Sequence, residues 1–159
     1  SRSISGEHVQ VDPVQPKRGK VLSSEQTNWI RTADTFFVAS SHPEKGTDAS
    51  HRGGNPGFIQ VDGNSRLVWP DYSGNMMFNT LGNIAANPKT GLLFIDFKNN
   101  RTLQLTGRAN IVWEADQIAE HPGAERLVSF KIDEVIELQN VSPFVWTFNS
   151  SSPFNPAIP

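Results

Sequence analysis

Ser50–Arg108 reads SHRGGNPGFIQVDGNSRLVWPDYSGNMMFNTLGNIAANPKTGLLFIDFKNNRTLQLTGR, and the fold is decided here. Phe58, Ile59 and Val61 run into Asp62-Gly63-Asn64-Ser65, and Leu67, Val68 and Trp69 run out again. β-Branched and aromatic residues on either side of an Asp-Gly turn predict a hairpin. Pro70 has no N–H to give to a ladder and is expected to end the second strand. After the polar bend Asp71-Tyr72-Ser73-Gly74-Asn75, apolar residues recur at Met77, Phe78, Leu81, Ile84 and Ala85, the spacing of one helical face. Asn87-Pro88 stops that helix. The run Gly91-Leu92-Leu93-Phe94-Ile95-Asp96-Phe97 is short and apolar on both faces, which predicts a fully buried central strand. From Arg101 the pattern alternates. Leu103, Leu105, Ala109, Ile111 and Trp113 take one side, the core, while Thr102, Gln104, Thr106, Arg108 and Asn110 form a polar and available face.

Working outward, residues 1–20 are polar, carry Pro13 and Pro16 and show no periodicity, the pattern of an extended arm or linker. Ser23 followed by Gln26 matches a capping box, opening a helix that turns Trp29, Ile30 and Ala33 inward. Thr35–Ser41 and Asp48–Arg52 read as two strands joined by a turn. Glu114–Glu120 reads as a short amphipathic helix. Beyond it, Leu127–Leu138 alternates around Val128, Phe130 and Ile132, shifts phase at Asp133-Glu134 and resumes at Val135, Ile136 and Leu138, as a strand with a bulge does. Residues 143–148 read as a last edge strand and 149–159 as a tail or linker, so the folded domain is expected over 21–148. Several short strands, few helices and frequent turn residues make the chain mainly β, a closed or partly closed barrel rather than a parallel α/β sheet.

Bulk properties exclude several classes. At 159 residues the chain is one domain with a core of ordinary size. Lys and Arg number 14 against 16 Asp and Glu, so no basic field invites nucleic acid and no polybasic tract invites a membrane surface. No apolar run approaches the ~20 residues that span a bilayer. No charged-then-apolar leader opens the chain, which begins at Ser1 as a trimmed chain would. With no cysteine there is neither disulfide nor thiolate metal site, and a cytoplasmic location is expected. His8, His42, His51 and His121 have no metal-ligand spacing, so no metal is expected, and there is no P-loop or G-x-S-x-G motif.

The segments SHRGGNPGF, WPDYSGN, NTLGNIAANP, GLLFIDF and RTLQLTGRA, in this order and spacing, resemble the pyridoxamine 5'-phosphate oxidase-related, FMN-binding split-barrel family. The resemblance covers roughly Trp29–Trp146 and is most specific over Asn83–Phe97 and the LTGRA strand. It implies a split β-barrel with a few short helices, a homodimer, and FMN held in a groove between the two subunits. The cofactor-binding positions it suggests are Ser50, His51, Arg52, Gly53, Asp71, Asn79, Thr80, Leu81, Gly82, Asn83, Gln104 and Thr106.

Each group has a physical rationale and a plainer alternative. The first turn of the helix offers free N–H groups, with Asn79 and Thr80 beside them, to a phosphate. Many relatives carry an Arg-Lys pair where Asn79-Thr80 stands, so here neutral donors would hold the phosphate with Arg52 as the nearest cation; the alternative is ordinary capping by Asn79 or Asn75. In Ser50-His51-Arg52-Gly53-Gly54, consecutive glycines allow close approach of a ligand and Arg52 supplies a planar donor fork; the alternative is a strand end with a surface Arg. Gln104 is the expected partner for the hydrogen-bonding edge of an isoalloxazine ring, the alternative being a solvent face. Trp69, Trp113 and Trp146 read as core or dimer-interface aromatics. No residue stands out as a general acid or base, so none is named catalytic. No second cluster of Arg and His is visible for a second phosphate, which argues against pyridoxamine phosphate itself as substrate. NAD(P)H or a reductase domain is the expected electron donor. The rival reading is a non-catalytic module whose groove holds a flavin, haem or a deazaflavin.

Overall fold

The computed structural model describes residues 15–72 and 78–141, with the side chains of 78 and 79 left out. The predicted edge strand at 143–148, Trp146 and the 149–159 tail lie outside the described residues. Part of the expected arm is a strand: Lys17–Gly19 (β1) pairs with Val135–Glu137. The predicted capping box is present at the start of α1 (Ser24–Thr32). Ser23 Oγ accepts from the Gln26 N–H at 3.2 Å, and the Gln26 side chain accepts from the Ser23 N–H at 3.0 Å. Such a cap contributes about 1 kcal/mol. Trp29 and Ile30 turn into the core as expected, and Ala33 packs against it.

The strands β2 (Thr35–His42), β3 (Gly46–Gly53), β4 (Gln60–Asp62), β5 (Arg66–Tyr72), β6 (Lys89–Asp96), β7 (Arg101–Val112) and β8 (Ala124–Gln139) form one antiparallel sheet with β1. Its order is β3-β2-β6-β7-β8-β5-β4. Two helices complete the described chain, α2 (Phe78–Ala86) and the exposed α3 (Ala115–Ala119). The β4–β5 hairpin turns where Asp62-Gly63 predicts, Gly63 at φ 61°. Phe36 stacks on Phe94 at 5.2 Å and meets the edge of Trp69 at 5.2 Å, making the aromatic centre of the core.

The phase shift read at Asp133-Glu134 is a bulge. Thr106 faces Glu134 and Gly107 faces Ile132, which leaves Asp133 unopposed. On its other flank β8 changes neighbour at the same place, pairing with β5 up to Lys131 and with β1 from Val135.

Four expectations change. Pro70 does not end β5, which runs on to Tyr72 paired with β8. β4 leaves β5 after Val68, so the strand has an unpaired flank there among the described residues, where a residue without an N–H is tolerated. On α2, Leu81 and Ile84 are buried but Ala85 is exposed, and the buried face is completed by Thr80 and Asn83. β6 is not buried on both faces: Thr90, Leu92 and Phe94 point into the core, whereas Leu93 and Ile95 are half-buried and Phe97 is exposed. Trp113 leaves the core side of β7 and is 63% exposed, its ring 5.5 Å from the Arg126 guanidinium.

A Cβ at Gly107 would lie 2.0 Å from the Lys131 carbonyl oxygen and 2.9 Å from the Phe130 ring. Gly107→Ala is therefore expected to cost about 3 kcal/mol or more in urea unfolding. Gly91→Ala, whose Cβ meets nothing nearer than 3.8 Å, is expected to stay within about 0.5 kcal/mol. Equal midpoints for the two variants would contradict the role given to Gly107.

Candidate functional site

In an antiparallel pair, residues opposite each other share a face of the sheet. Arg52, Ser50 and Asp48 of β3 stand opposite Phe36, Val38 and Ser40 of β2, so all three point to the core side. α2 lies over them. Thr80 Oγ1 donates to Asp48 Oδ2 at 2.8 Å and lies 3.1 Å from Ser50 Oγ; its one proton goes to Asp48, so Ser50 donates to Thr80. Arg52 NH1 lies 3.4 Å from Ser50 Oγ and 3.3 Å from the His51 carbonyl, and donates to both. A directed chain results, Arg52 to Ser50 to Thr80 to Asp48.

Arg52 is 3% exposed, and its Nε has no hydrogen-bond partner among the described residues. Burial pushes the Arg52 guanidinium down to about 10, while Asp71 and Asp48 pull the other way, so it remains a cation at neutral pH. Asp71 is buried beside it and pairs with Arg126 at 3.0 Å. Two carboxylates and two guanidiniums thus balance, and Arg52 is not the surface residue of the plainer reading. Asn83 Nδ2 donates to Ser40 Oγ at 3.2 Å, and Asn87 Nδ2 to Ser41 Oγ at 3.0 Å, which pins the rest of α2 to β2.

The remaining predicted residues separate from this cluster. His51 and Gly53 share β3 with Arg52 but point to the opposite, outer face. There the His51 ring is hydrogen-bonded to the Thr35 hydroxyl and meets the Phe37 ring at 5.5 Å. The two glycines are filled by the chain itself: a Cβ at Gly54 would lie 2.5 Å from the Phe58 ring, and one at Gly53 would lie 3.2 Å from the His51 ring. Phe58 and His51 occupy the space beside them in the folded chain. Leu81 belongs to the core and Gly82 is exposed. Asn79 contributes backbone to α2, and its side chain lies outside what is described.

Gln104 and Thr106 are also on the outer face. Cross-strand pairing lines up His51, Phe37, Leu93, Gln104 and Ile136 in one row across five strands. Beside that row lie Ile95, Thr102 and Leu138. The Thr102 hydroxyl is buried with no hydrogen-bond partner among the described residues. This face is a largely apolar wall, and set into it are an amide and a hydroxyl unsatisfied among the described residues. Sequence reasoning placed Thr102 on the right face but did not single it out. It also missed Asp48, which two-residue alternation along β3 with Ser50 and Arg52 would have shown.

β3 is an edge strand of the sheet, its open flank unpaired among the described residues. This edge strand carries residues of both the cluster and the wall, Arg52 on the core side and His51 on the outer face. Among the described residues no group of three or more His, Asp or Glu could hold a metal ion, and no helix is long and apolar enough to cross a membrane.

The sequence profile of pyridoxamine 5'-phosphate oxidase matches residues 22–139. No curated protein sequence matches the chain. Among solved structures it is similar to HupZ of Group A Streptococcus, with TM-score 0.60, 13% identity, and coverage of 74% of this chain and 95% of that one. It is also similar to a Clostridium acetobutylicum protein related to general stress protein 26, of the pyridoxinephosphate oxidase family. That match has TM-score 0.51 and 13% identity, covering 74% of this chain and 88% of the other. At these identities the likeness is one of fold.

Removing one member of a buried charge set leaves its partners uncompensated. Arg52→Met is expected to cost about 3 kcal/mol in denaturant unfolding at neutral pH. Asp48→Asn in the Arg52→Met background is expected to restore part of that loss. A variant as stable as the parent would show that the cluster bears no structural load.

Proposed function

The chain belongs to the pyridoxamine 5'-phosphate oxidase family, and from that premise we propose that it is an FMN-binding oxidoreductase, with the flavin in a groove shared by the two subunits of a homodimer. The observation that carries this reading is the outer wall: Phe37 is 37% exposed, Leu93 and Ile95 are half-buried, and the Thr102 hydroxyl is unsatisfied among the described residues. A monomer has no use for so much open apolar surface with a buried orphan donor in it, whereas a ring system and a second copy of the wall would cover both.

The donor set fits FMN in two parts. Thr102 and Gln104 would meet the polar edge of the ring against Leu93, Phe37 and Ile136. Ser50, Thr80, Arg52 and the start of α2, with Asn79, would meet the phosphate. Arg52 is the cation of that end, but Asp48 and Asp71 already hold it, so neutral hydroxyl and N–H donors carry much of the phosphate recognition. Bound flavin supplies the redox step, and the protein supplies orientation, hydrogen bonding and exclusion of water. The electron donor in this reading is NAD(P)H or a partner reductase.

The test is an absorbance spectrum of the purified protein with mass analysis of whatever heat releases. Two flavin bands and an FMN mass are expected, with bleaching by NAD(P)H directly or through a reductase. A Soret band, a deazaflavin mass or a flavin that no donor reduces would favour the binding-module reading, and failure to take up added FMN would remove the flavin altogether. Thr102→Val with Gln104→Leu is expected to weaken FMN binding about tenfold or more, the loss of one to two ligand hydrogen bonds, with little change in unfolding. Dilution to monomer is expected to release the flavin.

A further inference from the structure

Lys89 of β6 stands opposite Arg108 of β7, Arg108 opposite Lys131 of β8, and Lys131 opposite Arg66 of β5. Residues so paired share a face, and here it is the outer one, where all four side chains are exposed. Four cations therefore lie in one line across four strands, at the ~4.8 Å pitch of the sheet. The line is about 14 Å long between its outermost strands. Like charges directly opposite one another destabilise a sheet. Lys89, Arg108 and Lys131 make no ion pair within 4 Å among the described residues, and Arg66 is bound only through its Nε, to Ser129 Oγ at 3.1 Å. The chain as a whole carries a net charge of -2, so the line is a local excess against the general balance.

We propose that this line is a docking surface for a partner protein that presents the acidic face of an α-helix. The line is one residue wide, ended by Asp62 opposite Arg66 and flanked by Asp133 in the shallow cleft that Lys89 and Arg108 line. A membrane plane or a duplex calls for a broad basic field, which those carboxylates interrupt. Single-stranded nucleic acid calls for aromatic platforms beside the cations, and the neighbouring outer-face residues are Asn110, Ser129, Val68 and Gln60 on one side and Gly91, Thr106 and Glu134, itself paired with Arg18, on the other. Carboxylates three and four residues apart on a helix recur at about 5–6 Å, close to the cation pitch, whereas same-face carboxylates of an extended strand lie about 6.8 Å apart. At its Arg66 end the line opens into a cleft of about 750 Å³. Arg31 adds a fifth cation there, and the half-buried Val68 and Val112 offer an apolar wall to the end of such a helix.

The experiment uses the full chain and a labelled helical peptide with glutamate at every fourth position. Its comparators are an isomer of the same composition with the glutamates clustered, an oligothymidine, and tripolyphosphate. Anisotropy at low salt is expected to show the spaced peptide binding more tightly than all three, with affinity falling as salt rises. Lys131→Gln, which relieves repulsion between its neighbours and so preserves the fold, is expected to weaken binding about tenfold, and Arg108→Glu with Lys131→Gln to abolish it. Equal binding of the clustered isomer, tighter binding of oligothymidine or tripolyphosphate, or no binding of the spaced peptide would each overturn the proposal.

Discussion

One close approach governs the sheet. Gly107 of β7 sits so near the Lys131 carbonyl that no side chain fits, and at that point β8 carries an extra residue, Asp133. A bulge bends and twists the strand that holds it. Here the bend coincides with the place where β8 parts from β5 and takes up β1. A strand of 16 residues thus serves three neighbours in one continuous ladder system, and the sheet curls round the Phe36, Trp69, Phe94 and Phe130 core. The glycine is a condition of the architecture, because any Cβ would push the two strands apart where the change of partner occurs.

The second organising element is electrostatic. α2 is attached to β2 and β3 through Thr80, Asn83 and Asn87 as well as through Leu81 and Ile84. A purely apolar contact tolerates sliding by one helical turn, but hydrogen bonds to Asp48, Ser40 and Ser41 have one register. Buried ionic groups cost desolvation, and Arg52 shows it in its lowered pKa. Their return here is a fixed placement of the helix start beside the β3 edge, the position that the proposed phosphate recognition requires.

Local chemistry made much of this legible in the sequence. The Ser23–Gln26 box, the Asp62-Gly63 turn and the Asp133 phase shift each depend on a few adjacent residues, and each stands where the sequence puts it. What failed depends on partners far along the chain. Arg52 has the look of a surface residue until Asp71 and Thr80 arrive from other elements to join Asp48 on its own face of β3. Residues 91–97 read as wholly buried because periodicity reports that a face is apolar, not which molecule covers it. The Lys89–Arg66 line draws one residue from each of four strands, so the search for a second cationic cluster along the sequence could not find it before the register was known. Of the candidate site, the Ser50, Arg52 and Thr80 grouping was legible. The opposite orientation of His51 and Gly53 follows from strand alternation, but the use of the two glycines by Phe58 and His51 does not.

The bulge also decides what the outer surface displays. Lys131 and Ile136 are an odd number of positions apart in the sequence, so in a regular strand they would face opposite ways. With Asp133 inserted between them, both point outward, Lys131 into the cationic line and Ile136 into the apolar wall, while Ile132 and Val135 both stay in the core. Thr102 and Gln104 on β7 share that outer face with Arg108 by simple alternation, because the extra residue lies on β8 alone. The wall and the line are therefore not independent decorations of a barrel. One irregularity in one strand pair lets β8 contribute to both, and without it either Lys131 or Ile136 would turn into the core.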